Sequence, residues 1–241
     1  SGDMTISVDT FRAQIEALHE AGFKTVSLQQ LYDYVHFGTE LPEKPIVLTF
    51  DDGYFSNYEY AFPILQEYDM QATIFAIGVS VGKDTYKDTD HAMTPHFGAA
   101  EMQEMVDSGL ISIQSHTYDM HQWGPYESTD QPRETILPLE GESEADYRAS
   151  LSADCQKIRQ AIQNGTGEEN VHVIAYPSGR YNSLAQVTLL ENGFDISFTT
   201  EEGTNTLIKG QPQSLLGLHR YNMNQSVSVE QLMEWVSPAR G

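Results

Sequence analysis

A chain of 241 residues, 39% apolar and 10% aromatic, carries enough apolar material for a substantial core, which excludes gross disorder and fits one large domain or two small ones. Thirteen basic against thirty-five acidic residues leave a formal charge of −22, a field that repels phosphate backbones and anionic lipid and argues against nucleic acid as a partner. No apolar run approaches the ~20 residues of a transmembrane helix, and a lone cysteine, Cys155, excludes an intramolecular disulfide framework.

The opening Ser1-Gly2-Asp3-Met4 reads as a trimmed start, with residues 1–3 a cloning remnant, and leaves room for a removed export signal or anchor. Phe11, Ile15 and Leu18 recur at helical spacing ahead of a strand at Phe23–Leu28. A second strand, Pro45–Phe50, precedes Tyr58, Ala61, Phe62 and Leu65, where Pro63 limits the regular helix to a start near Ala61. Strand Ala72–Gly78 is followed by the polar stretch Gly82–Gly98. Its Asp84, Asp88 and Asp90 mimic calcium-loop spacing but lack the glycine and closing glutamate, so a solvated loop is expected. After strand Leu110–Gln114 comes a long insertion, Gln122–Glu142, holding Trp123, Tyr126, Pro132 and Pro138. Trp123 either stacks on a sugar ring or packs the insertion down. The longest helix is predicted over Ser143–Gln163, with Tyr147, Leu151, Cys155, Ile158 and Ile162 on one face and Cys155 as buried filler. Strands Val171–Tyr176, Ile196–Thr199 and Leu215–His219 follow, then a helix near Ser228–Val236 that opens with Ser228 and Gln231 at capping-box spacing.

Strands alternating with helices from end to end define an α/β fold with about seven parallel strands, open or closed into a barrel, and residues 1–241 read as one domain. In either form the active site collects at the carboxyl ends of the strands. Asp51 and Asp52 stand there, in Thr49-Phe50-Asp51-Asp52-Gly53-Tyr54. Within a strand, neighbours point to opposite faces. At the strand's end, with Gly53 freeing the backbone, both carboxylates can converge on one pocket, although acids here also serve simply to cap a helix.

A second cluster, Ser115-His116-Thr117-Tyr118-Asp119-Met120-His121, follows Leu110-Ile111-Ser112-Ile113. On a helix His116 and His121 would diverge by about 140°. At a strand-to-loop junction they can converge. With a carboxylate from a neighbouring strand they form a His/His/Asp set with open positions, suited to zinc or a related divalent ion in hydrolysis. One acid binds the ion and its neighbour takes a proton from water.

Here the chain resembles the polysaccharide deacetylases, carbohydrate esterase family 4 or the NodB homology domain, over about Phe11 to Trp235. Thr49-Phe50-Asp51-Asp52-Gly53-Tyr54 matches the family's first motif, which implies Asp51 as catalytic base and Asp52 as metal ligand. His116-Thr117 to His121 is similar to the second motif, which implies both histidines as ligands, and the pair's wider spacing resembles the branch acting on poly-N-acetylglucosamine. Leu41-Pro42-Glu43-Lys44-Pro45 and Ala72-Thr73-Ile74-Phe75 are similar to that branch too. The resemblance implies a distorted (β/α) barrel with fewer than eight strands.

Ala175-Tyr176-Pro177-Ser178-Gly179 occupies the place of the third motif. Ala175 stands where many members carry an arginine that steadies the base, and Ser178 stands where an aromatic is usual. By resemblance the Ser178 N–H is the oxyanion donor, a role a backbone group keeps through side-chain change. Tyr176 and Pro177 are expected at the substrate, and Arg180 either reaches the site or sits on the surface. In Leu216-Gly217-Leu218-His219-Arg220, Arg220 takes the register position of the family's histidine acid. His219 or water is then left as acid, and Arg220 stands at the substrate or in place of the missing arginine beside Asp51.

The expectation is a metal-dependent hydrolase, with zinc, cobalt or nickel, that removes N-acetyl groups from a β-linked N-acetylglucosamine polysaccharide outside the cell or at its surface. An O-acetyl esterase on xylan-type glycans, a non-catalytic sugar-binding domain of the same fold, and a cytoplasmic amidase are the alternatives.

Overall fold

The computed structural model describes residues 4–168 and 170–237, so the expectation for residues 1–3 falls outside the described residues. Strands β1 (Lys24–Thr25) and β2 (Pro45–Ile46) form a parallel pair. The main sheet runs β3 (Thr49–Phe50), β4 (Ala72–Ala76), β5 (Ile111–Ser115), β6 (Val173–Ala175) and β7 (Ile196–Phe198), all parallel and in chain order. Helices α1 (Val8–Glu20) and α2 (Leu28–Phe37) flank β1. The crossovers hold α3 (Phe62–Glu67), α4 (Ala99–Asp107), α5 (Glu144–Thr166) and α6 (Ser183–Glu191), and α7 (Val229–Val236) closes the described chain.

Apolar residues fill both faces of the sheet, as a parallel sheet requires. Ala72, Ile74 and Ala76 of β4, Ile111 and Ile113 of β5 and Ile174 of β6 join the outer core, with Leu18, Leu65, Met102, Met105, Leu151 and Ile158 from the helices. Phe75, Val173, Ala175, Ile196 and Phe198, from the alternate positions, form an inner core. Val26, which follows β1, belongs to that inner core together with Phe198 of β7. Residues from opposite ends of the strand row thus share one interior, and the row curls into a partial barrel.

The α/β barrel-like architecture expected from the sequence is present, but the main sheet holds five strands rather than about seven, and two of the expected strands are redrawn. Pro45–Phe50 is not continuous. The chain changes partner at Val47-Leu48, so β2 pairs with β1 while β3 pairs with β4. Leu215–His219 is reduced to one parallel bridge between Leu218 and Phe198, because a 3₁₀ turn occupies Pro212–Leu215 and Gly217 takes φ 69°. Near Pro63, a π turn at Asn57–Ala61 precedes the regular helix, which begins at Phe62. Three helices, α2, α4 and α6, stand where the sequence reading marks none.

Ser143 caps α5 by accepting the Asp146 N–H (3.1 Å), and Ser228 caps α7 by accepting the Gln231 N–H (3.1 Å). Cys155 is buried, and burial pushes its thiol up to about 12, so it is packing rather than nucleophile. The insertion is tied to α5 by Tyr147, whose buried hydroxyl donates to the Ile136 carbonyl (2.6 Å). Tyr147→Phe leaves that carbonyl without its donor. The substitution is expected to cost about 1–3 kcal/mol, read as a lower urea midpoint with unchanged slope.

Candidate metal centre

Three loops leave the carboxyl ends of their strands through a left-handed residue: Asp52 (φ 70°) after β3, Thr117 (φ 73°) after β5 and Ser178 (φ 55°) after β6. Such conformations cost an L residue about 1–3 kcal/mol and persist where the surroundings fix them. At β3 the turn aims both acids to one side. Gly53 (φ 81°) completes it where a Cβ would meet the Phe97 ring at 3.1 Å.

Asp52 Oδ1 lies 3.4 Å from His116 Nε2 and 3.9 Å from His121 Nε2, and ligand atoms of the three residues fall within 4.8 Å of one another. His116 Nδ1 is 2.8 Å from the Ala175 carbonyl oxygen, and His121 Nδ1 is 3.3 Å from that of Glu134. A carbonyl only accepts, so each Nδ1 carries the proton and each Nε2 turns a lone pair toward Asp52. Asp52 Oδ1 is buried with no hydrogen-bond partner among the described residues. Three facing acceptors without a donor repel one another unless a cation lies among them. Atoms ~2.1 Å from a tetrahedral zinc stand roughly 3.4 Å apart, so the set fits a divalent ion. Asp84, Asp88 and Asp90 form no such group among the described residues, and Asp88 instead accepts from Lys83 Nζ (3.0 Å).

Burial, and then the repulsion that would arise if the adjacent His116 ring were protonated as well, hold the His121 imidazole below its ordinary value. A histidine depressed in this way takes up protons first in the unfolded or unligated state. The stability and ion affinity present above ~6.5 therefore fall as pH drops through the lower folded value. Protein loaded with zinc at pH 7 is expected to retain about one equivalent there and to lose it on dialysis at pH 4. Equal zinc by elemental analysis at both values would exclude ligation by these imidazoles.

Arg220 Nη1 and Nη2 donate to Asp51 Oδ1 (2.7 Å) and Oδ2 (2.9 Å), while its Nε donates to the Thr199 carbonyl (2.9 Å). Burial pushes the Asp51 carboxyl up. The attraction of the His116 ring, which acts when that ring is protonated, together with the charge and hydrogen bonds of Arg220, outweighs it and holds the group below the usual carboxylate range. The structure thus commits Arg220 to Asp51 rather than to substrate, in place of the arginine absent at Ala175. His219 points away, with its Nε2 3.5 Å from Glu201 and its backbone N–H donating to Asn205 Oδ1 (2.8 Å). Neighbours along extended backbone face opposite sides, so the geometry does not bring His219 to Asp51 as an acid.

Tyr176 is 1% exposed, donates to Ser197 Oγ (2.7 Å) and stacks on Tyr181, and Pro177 is buried as well. The expectation that these two touch substrate is corrected: they are packing residues that carry the exposed Ser178. Arg180 is exposed and lines a cavity of ≈ 380 Å³ with Arg133, Glu134 and Pro138 of the insertion. Trp123 stands 59% exposed two residues beyond His121.

Two site residues escape the sequence reading. Burial, and then the charge and hydrogen bond of Asp52, raise the Tyr54 phenol, which stays protonated beside that carboxylate. Asp154 on α5 accepts backbone N–H groups from the histidine loop. Its signal was available, since Tyr147, Leu151, Asp154 and Ile158 share the apolar helical face and an acid on such a stripe is out of place.

A curled parallel sheet with a His/His/Asp set and an arginine-clamped acid at its carboxyl rim has the parts of a carbohydrate deacetylase. The chain belongs to the polysaccharide deacetylase family, whose model matches residues 38–196. It is 31% identical over 216 residues to the poly-beta-1,6-N-acetyl-D-glucosamine N-deacetylase of Escherichia coli (strain K12), covering 83% of this chain and 31% of that protein. The solved structure of IcaB from Ammonifex degensii matches with TM-score 0.77 at 26% identity, over 99% of this chain and 92% of that one. A de-N-acetylase from Aggregatibacter actinomycetemcomitans shares the fold with TM-score 0.81 at 23% identity, over 98% and 91% of the two chains. The chain spans 31% of the Escherichia coli relative's length and 62–65% of the Staphylococcus epidermidis and Bacillus subtilis relatives it also matches.

Proposed function

We propose that this chain is a metal-dependent hydrolase that removes N-acetyl groups from a β-linked N-acetylglucosamine polysaccharide. The carrying observation is the meeting of Asp52 Oδ1 with two imidazole Nε2 lone pairs, at a buried carboxylate oxygen with no donor. Asp52, His116 and His121 would hold a divalent ion, most fittingly zinc, with cobalt and nickel as substitutes. Such an ion supplies Lewis-acid polarisation of the acetamide carbonyl and a more acidic water. Asp51, kept ionised and fixed in plane by Arg220, takes the proton of the attacking water. The Ser178 N–H, on its exposed left-handed turn, donates to the developing oxyanion. With His219 turned away, the departing amine takes its proton from solvent or back from Asp51. Exposed Trp123 stacks on a sugar ring of the chain.

Similarity to the Escherichia coli enzyme, named for poly-β-1,6-N-acetylglucosamine, supports the glycan assignment. Such a polymer lies outside the cytoplasm, so we place the enzyme in the extracellular space or at the cell surface. Among the described residues no helix is long and apolar enough to cross a membrane. Residues 1–241 are read as one catalytic domain. The test is acetate release from N-acetylglucosamine oligomers by zinc-loaded protein. The turn of His219 toward Glu201 rather than Asp51 favours one second reading, an O-acetyl esterase, since an alkoxide leaves with less help than an amine. Faster release from acetylated xylan than from the amide would select it.

A further inference from the structure

Asp154 is 6% exposed, yet each of its carboxylate oxygens accepts a different backbone N–H: Oδ1 from Tyr118 (2.8 Å) and Oδ2 from Asp119 (2.8 Å). Both amides lie in the loop that joins His116 to His121. The loop turns at Thr117, a β-branched residue at φ 73°, where such residues are outliers. Gly78 and Val79 donate to the carbonyls of Thr117 (3.0 Å) and Tyr118 (2.9 Å), while Ser115 Oγ accepts the Thr117 N–H (3.0 Å). These supports come from β5 itself or from the turn after β4. Lys157 of α5 lies over the Tyr118 ring (5.8 Å) and Lys87 pairs with the Asp119 carboxylate (2.8 Å), but both meet side chains of the loop. Of the supports named here on its backbone, Asp154 is the one from α5 and the one that is ionisable. A buried carboxylate is costly even when hydrogen-bonded, and burial pushes this one up to about 6 against the pull of the two amides. Nothing in the deacetylation chemistry uses it.

We propose that Asp154 is a positioning residue for the metal centre, holding the His116–His121 loop in ligating geometry before the ion arrives. The inference rests on the reading of Asp52, His116 and His121 as ligands. The whole chain is titrated with zinc against a chelator at pH 7.5, and the metal-free forms are melted. Asp154→Asn keeps the side chain's size but sets an amide N–H against one loop N–H, and zinc affinity is expected to fall about tenfold or more. Ile158→Ala, one turn further along α5 and away from the loop, is expected to lower the metal-free melting temperature while keeping the parent's zinc affinity. In hydrogen exchange on the metal-free parent, the Tyr118 and Asp119 amides are expected to be as protected as those of α5. Parental zinc affinity in Asp154→Asn, affinity losses in both variants that track their melting losses, or unprotected Tyr118 and Asp119 amides would each overturn the proposal. A parent that binds no zinc through Asp52 overturns the ligand reading and the proposal with it.

Discussion

Asp52→Ala is expected to strip the protein of zinc and to lower acetate release on the order of 10³-fold, because the ion's polarisation of the carbonyl is lost together with the ion. Two imidazoles alone hold a divalent cation weakly, and the buried Asp52 oxygen is the group both of them face. Asp51→Asn is the informative contrast. It leaves Asp52, His116 and His121 in place, so zinc content is expected to stay near one equivalent while turnover falls by about 10²–10⁴-fold, the usual worth of a general base. Elemental analysis beside an acetate assay separates the two roles. An Asp52→Ala protein with full zinc and full turnover would refute the assignment.

The parts of the site that the sequence disclosed are those whose geometry is local. Asp51 and Asp52 sit between an apolar strand and a glycine, so their convergence follows from one strand end and one turn. His116 and His121 likewise belong to one strand-to-loop junction. Arg220 was harder, because its meeting with Asp51 joins residues 169 positions apart and depends on which of two neighbours, His219 or Arg220, faces inward. That facing is decided by the bridge between Leu218 and Phe198, which nothing in Leu216-Gly217-Leu218 announces. Tyr176 shows the opposite failure. Its motif position suggested contact with substrate, but the Ser197 hydroxyl and the Tyr181 ring hold it inside the fold. The break in Pro45–Phe50 was hidden for a related reason. An apolar run shows that a segment is buried, not that it changes partner midway from β1 to β4.

Arg220→Met keeps an unbranched apolar stem, shorter than the arginine, and removes every donor, and it is expected to lower kcat by about 10²-fold through a freed and partly protonated base. Without the arginine's charge and two hydrogen bonds, burial is less opposed, and the Asp51 carboxyl rises toward and above the ordinary value of ~3.9. The acid limb of the kcat profile accordingly moves to higher pH in the variant. The stability effect has a definite sign. A carboxylate depressed on folding contributes stability that is present above ~3.9 and is lost as pH falls through the folded value. The gap between parent and variant, about 2 kcal/mol at pH 7, is therefore expected to close in acid as both proteins come to hold a protonated Asp51. Urea midpoints at pH 7 and in acid measure that gap, and the kcat profile measures the base. His219→Ala tests the same geometry from the other side: with its imidazole against Glu201, turnover is expected to stay within a few-fold of the parent. If His219→Ala lost as much as Arg220→Met and the Arg220→Met profile kept the parent's acid limb, the proton donor would be the histidine and the clamp on Asp51 would carry no catalytic weight.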